Sequence, residues 1–345
     1  LFSASDADAD PILQYEFWDE VNGGGYWSVN GVQQASGRSI AVSAAELAST
    51  AYVGGANPGT EQVWARAHDG IAWGAWKKWL MSTEGGMLRG GIDPDTLTGD
   101  ALTPILEGSG GDDTLNAGPG NNLLSGGSGN DAVNGGAGND IVSGGAGDDM
   151  IETGAGSNVV VFNAGDGSDI VTSAAGASNT LSLGGGIDYD DVTFAKDGND
   201  LVVNTGGDDQ LVFKDWYSGK DNVDTLQIIL DASAAFDASS SDPLYNRKVQ
   251  TFDFRAMVSA FDQARAETPG MTSWAVTNAL LAAHLAGSDD AALGGDLAYW
   301  YGRNAGFAGI GLQSALEVLG ATGFGSDAQT LRPFNGLQEG FTKLS

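Results

Sequence analysis

An aspartate or asparagine recurs at multiples of nine residues through the middle of this chain: Asp95, Asp113, Asn122, Asp131, Asp140, Asp149 and Asn158, then Asp169 after a two-residue slip. Oxygen ligands repeated at a fixed interval inside glycine-rich bends are chemistry for a hard cation, which takes carboxylates and backbone carbonyls. Other chemistries lack material. The 345 residues include no cysteine and only two histidines, His68 and His284, far apart in sequence. Disulfides, thiolate zinc sites and cysteine nucleophiles are therefore excluded. Acidic residues outnumber basic ones 45 to 15, a net charge of −30. That balance argues against nucleic acid or an anionic membrane as a partner. No apolar run approaches the ~18–20 residues of a transmembrane segment.

The elements that must position these oxygens follow from the same period. Cut every nine residues from Gly90, the chain gives units such as GGSGNDAVN, GGAGNDIVS and GGAGDDMIE. The sixth place is Asp or Asn in eight of nine units, and only Pro104 departs. The eighth place is apolar in all nine: Leu97, Leu106, Leu115, Leu124, Val133, Val142, Ile151, Val160 and Val171. Glycines at the first, second and fourth places are expected to permit positive φ and a tight half-turn. The three residues after the acid then form a short strand whose middle side chain points inward and whose neighbours point out. Two units make a coil of about eighteen residues, so loops two units apart stack on one edge. Asp95, Asp113, Asp131 and Asp149 fall on one edge; Asn122, Asp140 and Asn158 fall on the other.

These units resemble the nonapeptide repeats of RTX, or hemolysin-type, calcium-binding proteins. The resemblance implies a parallel β-roll around several Ca²⁺ ions. Its candidate metal-binding residues are the sixth-place acids and amides with the glycines of their bends. They are Asp95; Gly108, Gly110 and Gly111 with Asp113; Gly118 and Gly120 with Asn122; and Gly126, Gly127 and Gly129 with Asp131. Next come Gly135, Gly136 and Gly138 with Asp140, and Gly144, Gly145 and Gly147 with Asp149. Gly154 and Gly156 with Asn158, and Gly165 and Gly167 with Asp169, complete the set. An ion between stacked loops would take one carboxylate from each, and loop carbonyls would complete the shell. The pairs Asp113/Asp131 and Asp131/Asp149 carry two acids each and are expected to bind best. The asparagines flanking Asp140 make the other edge weaker. One aliphatic per nine residues cannot offset ~1–2 kcal/mol of backbone entropy per residue. The roll is thus expected to be unfolded without calcium and ordered with it.

The fold class expected is mainly β and multidomain: an N-terminal β-sandwich, a central calcium-binding parallel β-roll with a β cap, and a C-terminal α-helical region. Residues 1–10 read as an acidic linker, and a chain that starts at Leu1 is expected to be a segment of a longer protein. Residues 11–83 hold six of the nine tryptophans and read as a small Ig-like sandwich, with strands at Gln14–Trp18, Tyr26–Val29 and Arg38–Val42. QVWARAHDGIAWGAWKKWLMS reads as a hairpin about Asp69-Gly70. It resembles the closing hairpin of sandwich modules in large type I-secreted adhesins. Trp73, Trp76 and Trp79 could stack on sugar rings, but period-two tryptophans are expected mainly to fill the core. The roll spans 84–172.

Residues 173–231 read as a β cap with strands at Val192–Phe194, Leu201–Val203 and Gln210–Phe213, where Asp197 and Asp200 form turns. Residues 232–345 read as helical. Phe254, Met257, Val258 and Phe261 share one face. A second helix is expected at Ser273–Leu285 with His284 in its apolar side, and further helices at Asp289–Tyr301 and Leu312–Leu319. His68 is expected to be exposed beside its turn. The glycine-broken helices and the uncharged end FTKLS resemble an uncleaved type I secretion signal.

A secreted or surface-bound product of a Gram-negative bacterium is what the resemblance implies. Its partners would be calcium ions, the type I secretion machinery, and a cell-surface polysaccharide or host surface, with roles in adhesion and biofilm. No nucleic acid and no transmembrane segment are expected. Neither HExxH nor GxSxG occurs, so an enzyme is not expected. The alternative is the non-catalytic tail of an RTX protease, lipase or epimerase, or of a pore-forming toxin. Asp10-Pro11, Asp93-Pro94 and Asp242-Pro243 are the bonds at which a self-processing RTX protein could break. No processing module accompanies them.

Overall fold

The computed structural model describes residues 10–19, 26–53, 59–83, 86–101 and 103–320, with Arg332, Pro333 and Leu344. The expected linker and the FTKLS end lie outside the described residues, apart from Asp10 and Leu344. The chain divides into two compact units, residues 1–86 and 87–345.

In the first unit a four-stranded sheet and a three-stranded sheet share one core. Alternation sends Tyr15, Phe17, Val63 and Ala65 into that core, where Trp27 is fully buried against Phe17. Strands Gly59–His68 and Lys77–Thr83 do form an antiparallel hairpin. The chain reverses at the expected place, across Asp69–Ala72, where His68 and Trp73 form an antiparallel bridge, and the regular ladder resumes at Lys77. The Asp69 carboxylate accepts the N–H groups of Ile71 and Ala72, both at 2.7 Å, and so nucleates the bend. The expectation that Trp73 and Trp76 fill the core is not met: they are 36% and 38% exposed. The side chain of Trp79 lies outside the described residues. His68 is half-buried rather than exposed, packed edge-on to Trp73 at 4.8 Å.

The second unit is built on a parallel β-solenoid of about five coils over residues 87–184. Two nine-stranded sheets form its walls. In one wall Leu106, Leu124, Val142, Val160 and Leu181 stand in register; in the other, Leu97, Leu115, Val133, Ile151 and Val171. The apolar eighth place therefore lines the interior throughout. The slip at Phe162-Asn163 leaves this pattern intact, because strand side chains alternate with period two. Strand Val159–Asn163 gains one inward residue, Phe162, and one outward residue, Asn163, whose amide reaches the Tyr301 carbonyl.

Beyond the repeats, strands Asp209–Phe213 and Val223–Ile229 extend the two walls in parallel, and the hairpin Thr193–Asp197/Asp200–Gly206 continues one of them. Helix α1 (Phe254–Glu267) closes the open end. Asp253 caps it by accepting the Ala256 N–H, and Phe254, Met257, Val258 and Phe261 are buried as their spacing predicts. They meet Phe194, Phe213, Trp216 and Trp274 in one aromatic cluster. A solenoid exposes its interior at each end, so such a plug is a requirement of the fold. Asp200 serves as a turn and ion-pair residue: it holds Lys214 at 2.5 Å and accepts the Asp215 N–H.

The helix expected at Ser273–Leu285 is not formed. A two-residue strand at Trp274–Ala275 pairs with Thr193–Phe194, and only a short helix α2 (Leu280–Ala283) follows. His284 opens a strand, His284–Ser288, that joins Val249–Asp253 at the sheet edge. Val276, Ala279, Leu280 and Ala283 of this run are buried in the main core, while Leu281 and Leu285 are 75% and 58% exposed. Edge pairing outweighed helix propensity there. His284 is half-buried, with Nε2 at 2.8 Å from Gln250 Oε1. Helix α3 begins at Gly295 rather than Asp289 and ends at Asn304; α4 spans Leu312–Gly320.

These last helices lie on the roll. The outward seventh-place residues of one wall, Ile105, Leu123, Ile141 and Val159, are buried with Leu297, Tyr301, Leu312 and Leu319. The equivalent residues of the other wall stay open: Met150 is 63% exposed and Ile170 is 38% exposed. Ile141→Ala is expected to cost about 2–5 kcal/mol, and Met150→Ala less than about 0.5 kcal/mol. Urea unfolding in millimolar calcium measures both. Equal costs would mean that the tail does not cover the roll.

Candidate metal centre

Each half-coil turns through the first six places of a unit. Backbone φ is positive at the second and fourth places, for example +110° at Gly127 and +123° at Gly129. Ser109 occupies the second place of its unit at φ +78°, a strained position for a residue with a side chain. The first-place glycines have a different cause from the one their sequence suggested. Gly108, Gly126 and Gly144 are not at positive φ; a Cβ there would overlap Oδ2 of Asp113, Asp131 and Asp149 respectively. These glycines make room for a carboxylate.

The acids stack as the eighteen-residue coil requires. The N–H of Asp95 donates to Asp113 Oδ1 at 2.7 Å, that of Asp113 to Asp131 at 2.8 Å, and that of Asp131 to Asp149 at 2.7 Å. Asp169 continues this edge after the slip, accepting from Asp149 at 3.2 Å. On the opposite edge Asn122 donates to Asp140, Asp140 to Asn158, and Asn158 to Asn179. Asn179 was not among the expected residues, because its spacing of twenty-one departs from the register. A second ladder was also missed. At the fifth place the direction reverses: Asp112 Oδ1 accepts from Asn130, Asn130 from Asp148, Asn121 from Asn139, and Asn139 from Ser157. The run of Asp, Asn and Ser at that place was its visible signal.

One carboxylate oxygen per acid is thus committed to the backbone. The other is not. Oδ2 of Asp113, Asp131, Asp140 and Asp149 is buried without a hydrogen-bond donor. Each of these residues is at most 2% exposed. These oxygens face further oxygens: the space beside Gly126 is shared by Asp131 Oδ2 and the Gly144 carbonyl, and that beside Gly108 by Asp113 Oδ2 and the Gly126 carbonyl. Buried carboxylate oxygens without a donor, set beside backbone carbonyls, are an arrangement that a bound cation would satisfy. Among the described residues no three acidic or histidine side chains gather at one point. Any shell must therefore combine carboxylate with backbone carbonyl, an all-oxygen set suited to Ca²⁺. At Asn122 the side-chain amide instead donates to the carbonyls of Gly118 and Gly120, at 3.2 and 2.8 Å. It occupies with a neutral donor the place where a cation would meet those oxygens.

Burial penalises the charged form of these acids. It is the main reason that Asp131 is pushed up to about 6, and Asp140 and Asp149 to about 7. Asp169, buried and beside Asp149, rises to about 9, and Asp113 is raised as well. Asp166, pushed up to about 7 by burial, accepts hydrogen bonds from the Asn163 N–H and the Tyr301 hydroxyl. It thereby ties the roll to α3.

With this geometry in place, comparison with known proteins is specific. A family model for RTX calcium-binding nonapeptide repeats, in four copies, matches residues 105–133, 125–160 and 143–179. Over these residues the chain matches the RTX repeat. RTX repeats bind calcium, and the oxygens left unpaired here fit that ion. A search of curated proteins finds no match. Among solved structures the chain is similar to the extracellular lipase LipA from Serratia marcescens, with 15% identity and a TM-score of 0.26. That alignment covers 60% of this chain and 31% of the lipase, so the chain spans less than a third of the lipase's length in matched residues.

Two predictions follow from the loop chemistry. In calcium-free buffer the folded acids hold protons more tightly than unfolded ones, whose ordinary value is 3.8. The stability this gives is present below that value and is lost as pH rises through 6 to 9. Circular dichroism in chelator should therefore show more β-structure at pH 5 than at pH 8, and no difference would contradict the burial of these acids. Gly126→Ala puts a methyl group against Asp131 Oδ2 at a backbone position that alanine can adopt. The calcium midpoint should rise at least tenfold, a loss of about 1.4 kcal/mol, in a titration followed by circular dichroism.

Proposed function

We propose that this chain is the calcium-folded, non-catalytic part of a secreted RTX adhesin, exported by a type I secretion system and active at the cell surface or in a biofilm matrix. The observation that supports this most is the column of buried, donorless Oδ2 atoms from Asp113 to Asp149. A fold that leaves such oxygens opposed to carbonyls depends on an ion supplied from outside it. Calcium is sub-micromolar in cytosol and near millimolar outside cells, and extracellular modules bind at about 10⁻⁴–10⁻³ M. The chain would stay loose while it is threaded out and close on arrival. Each ion contributes RT ln(1 + [L]/Kd), about 1.4 kcal/mol at ten times Kd. Several sites along one solenoid sum and make the transition cooperative.

The roll nucleates what lies on it. Helix α1 plugs its end and α3 and α4 cover one wall, so these helices gain their buried faces only once the coils exist. Calcium would then drive the ordering of the tail as well as of the repeats. A far-ultraviolet circular dichroism titration tests the reading: the β signal should appear between micromolar and millimolar calcium, with a Hill coefficient above one. Asp131→Ala removes an acid from the middle of the first edge, and its midpoint should move to higher calcium. A full β signal in chelator at neutral pH would overturn the proposal.

A further inference from the structure

The outer face of the first unit's larger sheet should be polar, since its inner face already holds a complete core. It is instead aromatic. Trp18 and Trp64 are cross-strand partners on that face, with ring centroids 4.6 Å apart. The loop after strand Gly59–His68 folds back and lays Trp76 and Trp73 over Arg66, whose guanidinium lies 4.6 and 4.7 Å from their ring centroids. Trp18, Trp64 and Trp76, with Ser39 at the rim, line an open groove of about 450 Å³. That volume lies in the range of small-ligand clefts.

None of these rings serves the core, which Phe17, Trp27, Val42 and Val63 fill. Half-exposed tryptophans in a row are costly to leave in water, so the face is shaped for an occupant. Its polar groups indicate which kind. Arg66 is not a free cation: it donates to Glu16, with Nε at 2.6 Å. The charge of Arg66 is thus offset by Glu16, while the chain as a whole carries −30. An anionic polymer would be repelled, and an apolar helix would bury the Arg66–Glu16 pair and the neighbouring Lys78 without partners for their remaining hydrogen-bonding groups. A neutral pyranose meets both demands. Its axial C–H face would lie on indole, and its equatorial hydroxyls would meet Ser39 and water at the open rim.

We propose that this groove is a binding site for neutral polysaccharide, with Trp18, Trp64 and Trp76 as the stacking platform and Ser39 at the rim as a hydroxyl partner. The site lies wholly within the first unit and does not use the calcium loops, so its failure would leave the calcium reading intact. The test is affinity electrophoresis of the full chain in millimolar calcium, in gels containing hydroxyethyl cellulose, dextran or galactomannan, with alginate as the acidic control. At least one neutral polymer should retard the protein and alginate should not. Trp76→Ala and Trp18→Ala should each weaken retardation about tenfold or more. Trp76→Phe should retain part of it, and circular dichroism should show every variant folded. Absence of retardation in all three neutral polymers would overturn the proposal. So would equal retardation by alginate, or unchanged retardation of the folded Trp18→Ala/Trp76→Ala double variant.

Discussion

Half of each stacked carboxylate is satisfied by the backbone and half is not, and the second unit is organised around that imbalance. Oδ1 of Asp131 accepts a backbone N–H from the preceding coil, which fixes the loop spacing. Oδ2 faces carbonyl oxygen instead. The fold thus places negative partial charges beside one another where burial weakens screening. Such an arrangement is unstable alone and strong with a divalent ion, because low local dielectric amplifies repulsion and attraction alike. Proton and calcium are alternatives for the same oxygens, so the raised proton affinities of Asp131, Asp140 and Asp149 express the same demand for positive charge.

The solenoid interior cannot carry this load by hydrophobic burial. Each half-coil contributes one inward aliphatic, as at Val133 or Val142. Apolar support comes from outside the coils. The seventh place is aliphatic and covered in one wall, with Ile105, Leu123, Ile141 and Val159 beneath the tail helices. In the other wall it reads Thr114, Ala132, Met150 and Ile170 and is left open. Ion binding at the edges and helix packing on one wall are therefore complementary. The first sets the coil, and the second supplies the apolar area that the thin interior lacks.

The nine-residue register made the roll legible because one period fixed three things at once: the bend, the inward residue and the stacking edge. The ladder from Asp95 to Asp149 could be written down before any coordinates. What escaped was whatever broke the period or depended on a partner distant in sequence. Asn179 extends the second edge across an irregular insertion. Covering of the wall at Ile105 and Ile141 follows an eighteen-residue alternation that a nine-residue alignment hides. His284 and its neighbours had helical propensity, yet a free edge at Val249–Asp253 was available and pairing took them. Trp73 and Trp76 escaped for another reason: they stand between strands Gly59–His68 and Lys77–Thr83, where strand alternation does not set which way a side chain points.

A net charge of −30 need not oppose such a fold, because the acids divide into two populations. Outward acids such as Asp221, Asp224 and Asp289 sit in solvent beside Arg255 and Arg247, where screening keeps repulsion small. The inward acids are few, nearly unexposed and confined to stacked loops. Only these must be neutralised for the coils to close. The roll therefore responds to ions at particular loop positions rather than to ionic strength at large. Monovalent salt can screen the first population, but a single positive charge neutralises the oxygens beside Gly126 less well than a divalent ion does. That separation is what would let an acidic chain remain extended in one compartment and close in another on a change in a single ion.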